Sequence, residues 1–244
     1  YEDERNFPVI KKIYALHKKF EPWFGRYRSP AEIAVIAPGT WPSGDAMQEY
    51  RGVMLMLKEA HIPFDIIEDA QIANRAERIK QYKLIILPDI TYGSAEVINT
   101  LKEASRGGSH LIATNKTFFD NAAALQELFG ARIVNSDHEG SGNYLRIDNT
   151  SFFKRLKQQK MLSWKFNLGQ YDLIAADSVL LPILSKGRPG PPEIIGGHEP
   201  TGYYALGIKN YGKARNVILP ENIGKLSYLH GYKQQKNILL DVID

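Results

Sequence analysis

The chain contains no cysteine in its 244 residues. That removes disulfides, thiolate metal ligands and a thiol nucleophile together. It leaves the compartment unknown, because cysteine-free proteins occur on both sides of a membrane. Long apolar runs are also missing. VLLPIL at 179–184 is among the longest, far short of the roughly 20 residues a membrane-spanning helix needs, so no membrane partner is expected. No basic start leads into an apolar segment, so no signal peptide is read. The first residue is Tyr1, not methionine, as in a processed product or a piece of a longer polypeptide.

The six histidines are scattered and form neither HxH nor HExxH; the local clusters Asp137-His138-Glu139 and His198-Glu199 read as loop surface, and no metal is expected. Gly140-Ser141-Gly142 does not join a buried strand to a helix, so it is a poor phosphate cradle and no cofactor is expected. Neither sign of charge dominates: 31 basic against 27 acidic residues give +4. The densest basic stretch, SFFKRLKQQKMLSWK at 151–165, interleaves Phe152, Phe153, Leu156 and Met161 with its lysines. It reads as a solvated helix face, and with no accompanying recognition motif no nucleic-acid partner is expected.

What is present is ordinary globular material, 43% hydrophobic and 24% charged, enough to bury a sizeable core. Asn6–Trp23 carries Val9, Ile10, Ile13, Leu16, Phe20 and Trp23 at helical spacing, an amphipathic helix that ends before Ser29-Pro30. Residues 1–30 are accordingly assigned as a linking helix and 31–244 as one domain. EIAVIAP at 32–38 is continuously apolar, as a parallel strand buried on both faces must be. After the loop GTWPSG, a helix is predicted over Asp45–Ala60, a strand over Phe64–Glu68, a helix over Ala70–Gln81 and a strand over Lys83–Asp89. A helix over Ser94–Ser105, N-capped by Ser94, leads to a strand at His110–Thr114. A helix over Asp120–Phe129 then stops at Gly130. This β-α-β-α rhythm predicts a right-handed doubly wound parallel sheet.

From Ala131 the rhythm changes. Short strands are predicted at Arg132–Ser136, Tyr144–Ile147, Leu180–Ile183 and Glu193–Ile195. A helix is predicted over Ser151–Gln159, a hairpin pairs Tyr203–Lys209 with Asn216–Leu219 around a turn in Asn210–Arg215, and one helix spans Ser227–Val242. This half reads as an elaborated continuation of the same sheet.

The stretch HLIATNKTF at 110–118 is where chemistry would be sought, since an open α/β sheet presents ligands and nucleophiles at its carboxyl edge. It carries Thr114, Asn115 and Lys116, with no nucleophile–base pair. Asp89 and Glu221 are the carboxylates predicted to face the same edge, and Trp41 and Tyr92 are aromatic residues on its loops.

Taken together, EIAVIAP at 32–38, EYRGVMLMLKEAHIPFDIIED at 49–69, KLIILPDITYGSAEVINTLKEASRGGSHLIAT at 83–114 and YGKARNVILPENIGKLSYLHGY at 211–232 resemble the class I glutamine amidotransferase-like domain of beta-galactosidase-type glycoside hydrolases. That domain is related to the trimerisation domain of glycoside hydrolase family 42. The resemblance implies a three-layer α/β/α sandwich around a mostly parallel, flavodoxin-like, doubly wound sheet. It also implies an upstream (β/α)8 barrel on the same polypeptide that holds the catalytic carboxylates, and assembly into a homo-oligomer such as a trimer. True amidotransferases place a cysteine on the turn that here reads Thr114-Asn115-Lys116. They later use a His-Pro-Glu element, which here reads Leu219-Pro220-Glu221. Nucleophile and base are both absent, and an amide cannot replace a His-activated thiolate.

Three functions follow as expectations. The first is a non-catalytic accessory or oligomerisation domain of a glycoside hydrolase, with no catalytic residue of its own. The second is carbohydrate binding at the carboxyl edge through Trp41, Tyr92, Asn115, Lys116 and Glu221. The third is an unrecognised hydrolase that uses Asp89 or Glu221 with Lys116.

Overall fold

In the computed structural model, residues 4–24, 29–39, 42–138, 143–165, 168–187, 191 and 196–244 are described. Chain contacts separate Tyr1–Pro30 from Ala31–Asp244. In the first unit Phe7–Phe20 is an α-helix (α1) with proline in its first turn, a position where the missing N–H costs nothing. A single 3-10 turn precedes it and another follows, at Glu4–Asn6 and Glu21–Trp23.

The second unit begins with Ile33–Ala37 (β1). Gly44–Glu59 (α2), Phe64–Glu68 (β2), Ala76–Ile79 (α3), Leu84–Pro88 (β3), Ala95–Gly107 (α4), His110–Thr114 (β4) and Ala122–Phe129 (α5) follow in order. The chain continues through Arg132–His138 (β5), Asn143–Arg146 (β6), Met161–Trp164 (β7), Leu168–Asp172 (β8), Ser178–Leu184 (β9), Pro200–Tyr211 (β10) and Ala214–Leu219 (β11). Ile223–His230 (α6) and Lys233–Ile243 (α7) close it.

One nine-stranded sheet has the order β2-β1-β3-β4-β11-β10-β9-β6-β7. Its first five strands run parallel, in the 2-1-3-4-5 order of flavodoxin-like sheets. The other four join antiparallel through the β10–β11 hairpin; this is the elaborated C-terminal half. Strands β5 and β8 form a separate antiparallel ribbon.

Alternation along each buried strand divides the core. Val35, Ile86 and Ile112 pack with Val53, Met56 and Leu57 of α2 and Leu226 of α6. Ile36, Ile85 and Leu111 pack with Ile98 and Leu101 of α4 and Leu125 and Leu128 of α5. Two apolar layers on opposite faces of one sheet make the chain a three-layer α/β/α sandwich. Helices α2 and α6 meet backbone to backbone, since a Cβ on Gly52 would lie 1.8 Å from the Gly224 carbonyl oxygen.

The local signals hold where they are chemical. Ser43 accepts the Ala46 N–H and caps α2, Ser94 accepts the Val97 N–H and caps α4, and Gly130 closes α5 in the left-handed region. Three expectations are corrected. Ala70–Gln81 is not one helix but two 3-10 turns and the four-residue α3; within it only Ile72 and Ile79 are buried. Ser151–Gln159 forms only a 3-10 turn at Lys154–Leu156, with Phe153 and Leu156 buried at its own three-residue period. Ser227–Val242 is two helices, because Gly231 adopts φ 64° and ends α6. The hairpin turn falls within Asn210–Arg215 as expected, at Gly212 and Lys213, since Tyr211 already pairs with Ala214. Strands β7 and β8 went unread, and Glu193–Ile195 and Gly140-Ser141-Gly142 lie outside the described residues.

Candidate functional site at the carboxyl edge

Strand β4 delivers its turn to the carboxyl edge of the parallel strands. Asn115 takes φ 49° and Phe118 φ 56°, while Asp89, just past β3, takes φ 54°. Asn and Asp tolerate this left-handed region better than other side chains. The turn is held from beneath. The Thr117 hydroxyl shares its proton between the Leu87 and Thr114 carbonyls, both at 2.8 Å, and accepts the Ile90 N–H at 3.1 Å.

The two segments singled out from sequence are brought together. The Asn115 N–H donates to the Leu219 carbonyl at 2.9 Å and lies 3.3 Å from that of Glu221. Asp89 joins the group through both oxygens. Its Oδ2 accepts the Asn115 side-chain amide at 3.0 Å, and its Oδ1 accepts the Lys116 N–H at 3.2 Å. From β8 the Tyr171 hydroxyl donates to the Asn115 carbonyl at 3.3 Å.

Asp89 is buried. Burial pushes its carboxyl up to about 6, against the opposing pull of the Asn115 amide, the Lys116 N–H and the Lys116 charge. Beneath it lies a group that the sequence reading passed over. Glu49 of α2 is fully buried, and its Oε2 accepts the Lys225 N–H at 2.7 Å. It thereby caps the first turn of α6, where Asn222 makes no side-chain cap bond. Burial pushes Glu49 up to about 7, although the Lys225 and Gly224 N–H groups and the Thr114 hydroxyl favour its ionised form. That hydroxyl adjoins the carboxyl, but neither Thr114 Oγ1 nor Glu49 Oε1 completes a hydrogen bond among the described residues. Helical spacing carried the missed signal: Glu49 sits on the stripe Ala46, Tyr50, Val53 and Leu57, all buried.

A cavity of about 280 Å³ opens beside this cluster, lined by Pro42, Ser43, Asp69, Asp89, Thr91 and Tyr92. Asp69, directly after β2, was also missed; its position at a strand's carboxyl end was the available signal. Tyr92 is exposed, Leu219 and Glu221 are buried, and Lys116 sits 5.8 Å from the Phe119 ring centre. Trp41 lies outside the described residues. Among the described residues no group of three His, Cys, Asp or Glu side chains is arranged to hold a metal. A thiol is absent, and the Thr114 and Thr117 hydroxyls on either side of the turn's apex are buried. The arrangement presents an amide, a cation and a carboxyl of raised affinity for protons, a set suited to polar binding.

No family model matches the sequence, and no curated protein matches it. Solved structures do. Alpha-L-fucosidase isoenzyme 2 from Paenibacillus thiaminolyticus is similar with a TM-score of 0.70 and 16% identity, over 99% of this chain and 36% of that one. Gan42B, a GH42 beta-galactosidase, gives 0.66 and 17% over 100% of this chain and 34% of its own. A ThuA-like protein from Bacteroides uniformis gives 0.63 and 12%, over 90% and 93% of the two chains. The chain thus spans about a third of the length of the glycosidases it resembles, and these likenesses establish the α/β fold.

Proposed function

We propose that residues 31–244 form a non-catalytic accessory and oligomerisation domain of a beta-galactosidase-like glycoside hydrolase, with residues 1–30 as a linking helix from an upstream (β/α)8 barrel. The class I amidotransferase-like assignment of the domain is part of the same reading. The observation that carries it is the β4 turn. Asn115 keeps the left-handed conformation of a nucleophile elbow, yet its side chain is an amide bonded to Asp89, and the residue across from it is Leu219. Similarity to glycosidases of about three times this length supports the placement. Light scattering and kinetics on the parent polypeptide, with and without residues 31–244, test it. The expected result is a smaller assembly or altered substrate affinity, with no ammonia released from glutamine by the intact protein. An unchanged assembly with unchanged kinetics overturns the reading.

A second reading is favoured by the cavity at the same edge. Asp69, Asp89 and the exposed Tyr92 line it, and an aromatic face beside carboxyl acceptors suits a sugar ring. Calorimetry with galactosides and other glycans checks this, and absence of heat with all of them rejects it.

A further inference from the structure

A second cavity, of about 520 Å³, opens at the opposite, amino edge of the parallel strands. Its floor is apolar: Ile33, Leu84, Ile112 and Val217 come from four strands of the sheet, and Phe152 and Val242 form walls. The volume falls in the range of about 300–1,000 Å³ typical of small-molecule sites.

The charges at its mouth do not cancel. Asp241 and Asp244, at the end of α7, are both bonded by Arg155 at 2.7 Å. Glu32 is bonded by Lys83 at 2.6 Å. Two cations, Arg155 and Lys83, thus answer the three acids that line the cavity, and with Lys154 and Arg215 the balance at the mouth is four cations against three acids. Lys154 and Arg215 also line it, and among the described residues neither side chain has an ion-pair partner. His110 adds a donor. Its Nδ1 accepts the Arg215 N–H at 2.9 Å, so in the neutral ring the proton resides on Nε2.

We propose that this cavity binds an organic monoanion with an apolar body. The body lies against Ile112 and Val217, and the anionic head meets Lys154, Arg215 and the His110 Nε2–H. A neutral apolar molecule leaves the two cations unanswered, and a cationic one is repelled by them. The site is independent of the carboxyl-edge reading and stands or falls separately.

The test is a titration of the 244-residue chain, followed by amide chemical shifts, with decanoate and 2-naphthoate. Decanol and decyltrimethylammonium serve as head-group controls. Saturable shifts are expected at Leu84, Ile112, Val217 and Val242 with at least one of the two anions, and the tighter one identifies an aliphatic or an aromatic body. Lys154 and Arg215 are exposed, so the double variant Lys154→Gln/Arg215→Gln folds normally, which an unchanged melting temperature verifies. It should bind the anion about tenfold more weakly. Three results overturn the proposal: no saturable shift at the cavity, equal binding of decanol, or full affinity in the double variant.

Discussion

Glu49→Gln should make the protein more stable at alkaline pH than it is with its native glutamate. The native carboxyl is fully buried and holds its proton up to about 7, against an ordinary 4.5. Between those values the folded state binds more protons than the unfolded one. Native stability therefore falls as pH rises from 4.5 through 7, and the whole deficit is present above 7. A shift of that size corresponds to about 3 kcal/mol at 1.36 kcal/mol per unit. Glutamine keeps the geometry. Its carbonyl accepts the Lys225 N–H that Glu49 now takes at 2.7 Å, and its amide offers a donor towards the unsatisfied Thr114 hydroxyl. The measurement is urea unfolding of both proteins from pH 4.5 to 8.5. The stability difference should grow in favour of the variant by about 3 kcal/mol across that range, no faster than about 1.4 kcal/mol per pH unit. A difference that is constant with pH refutes the reasoning, because it means that Glu49 titrates alike folded and unfolded.

Asn115→Ala removes the amide bonded to Asp89 and puts a less tolerant residue at φ 49°; the loss should be about 2–3 kcal/mol, and Asp89, already up at about 6, should move further up in a carboxyl NMR titration. Asn216→Ala strips a fully buried side chain that accepts from the Ser105 hydroxyl and the Leu111 N–H and donates to the Leu128 carbonyl. Denaturant unfolding should record a loss of about 3–5 kcal/mol. Gly52→Ala forces a methyl onto the Gly224 carbonyl oxygen; it should cost more than about 3 kcal/mol, whereas alanine at Gly107, which meets nothing within 4 Å, should leave the melting temperature nearly unchanged.

The parallel half of the fold was legible because its strands are buried on both faces. IAVIA, LIILP and HLIAT are nearly unbroken apolar runs, a pattern that only a double-covered strand requires. Helix ends were legible where a capping side chain or a left-handed glycine marks them. The antiparallel extension was harder. Strand β7 shows the alternation of a half-buried strand over only four residues, MLSW, and the preceding lysines drew the segment into a helical reading. The 70–81 stretch has helix-forming composition but only two buried anchors, Ile72 and Ile79, so tertiary contacts leave it in short turns. The site was half legible. Position after a strand identified Asp89 and the β4 turn, but Glu49 and Thr114 meet from elements 65 residues apart, and no local pattern announces such a pair.

The β4 turn holds Asn115 in the left-handed region while its hydrogen bonds are engaged within the fold. In a nucleophile elbow, the N–H of the residue after the nucleophile helps to bind the oxyanion. The corresponding N–H here belongs to Lys116 and is taken by Asp89 at 3.2 Å. The Asn115 N–H is taken by Leu219, its amide by Asp89 and its carbonyl by Tyr171. Placing a thiol on this turn would therefore create no catalysis. Asn115→Cys lacks a base at position 219, an available oxyanion donor at position 116, and the amide that now satisfies Asp89. The expected outcome is no glutamine hydrolysis, together with a stability loss close to that of Asn115→Ala. Ammonia release by Asn115→Cys would show that the edge has catalytic capacity which the hydrogen-bond pattern denies it.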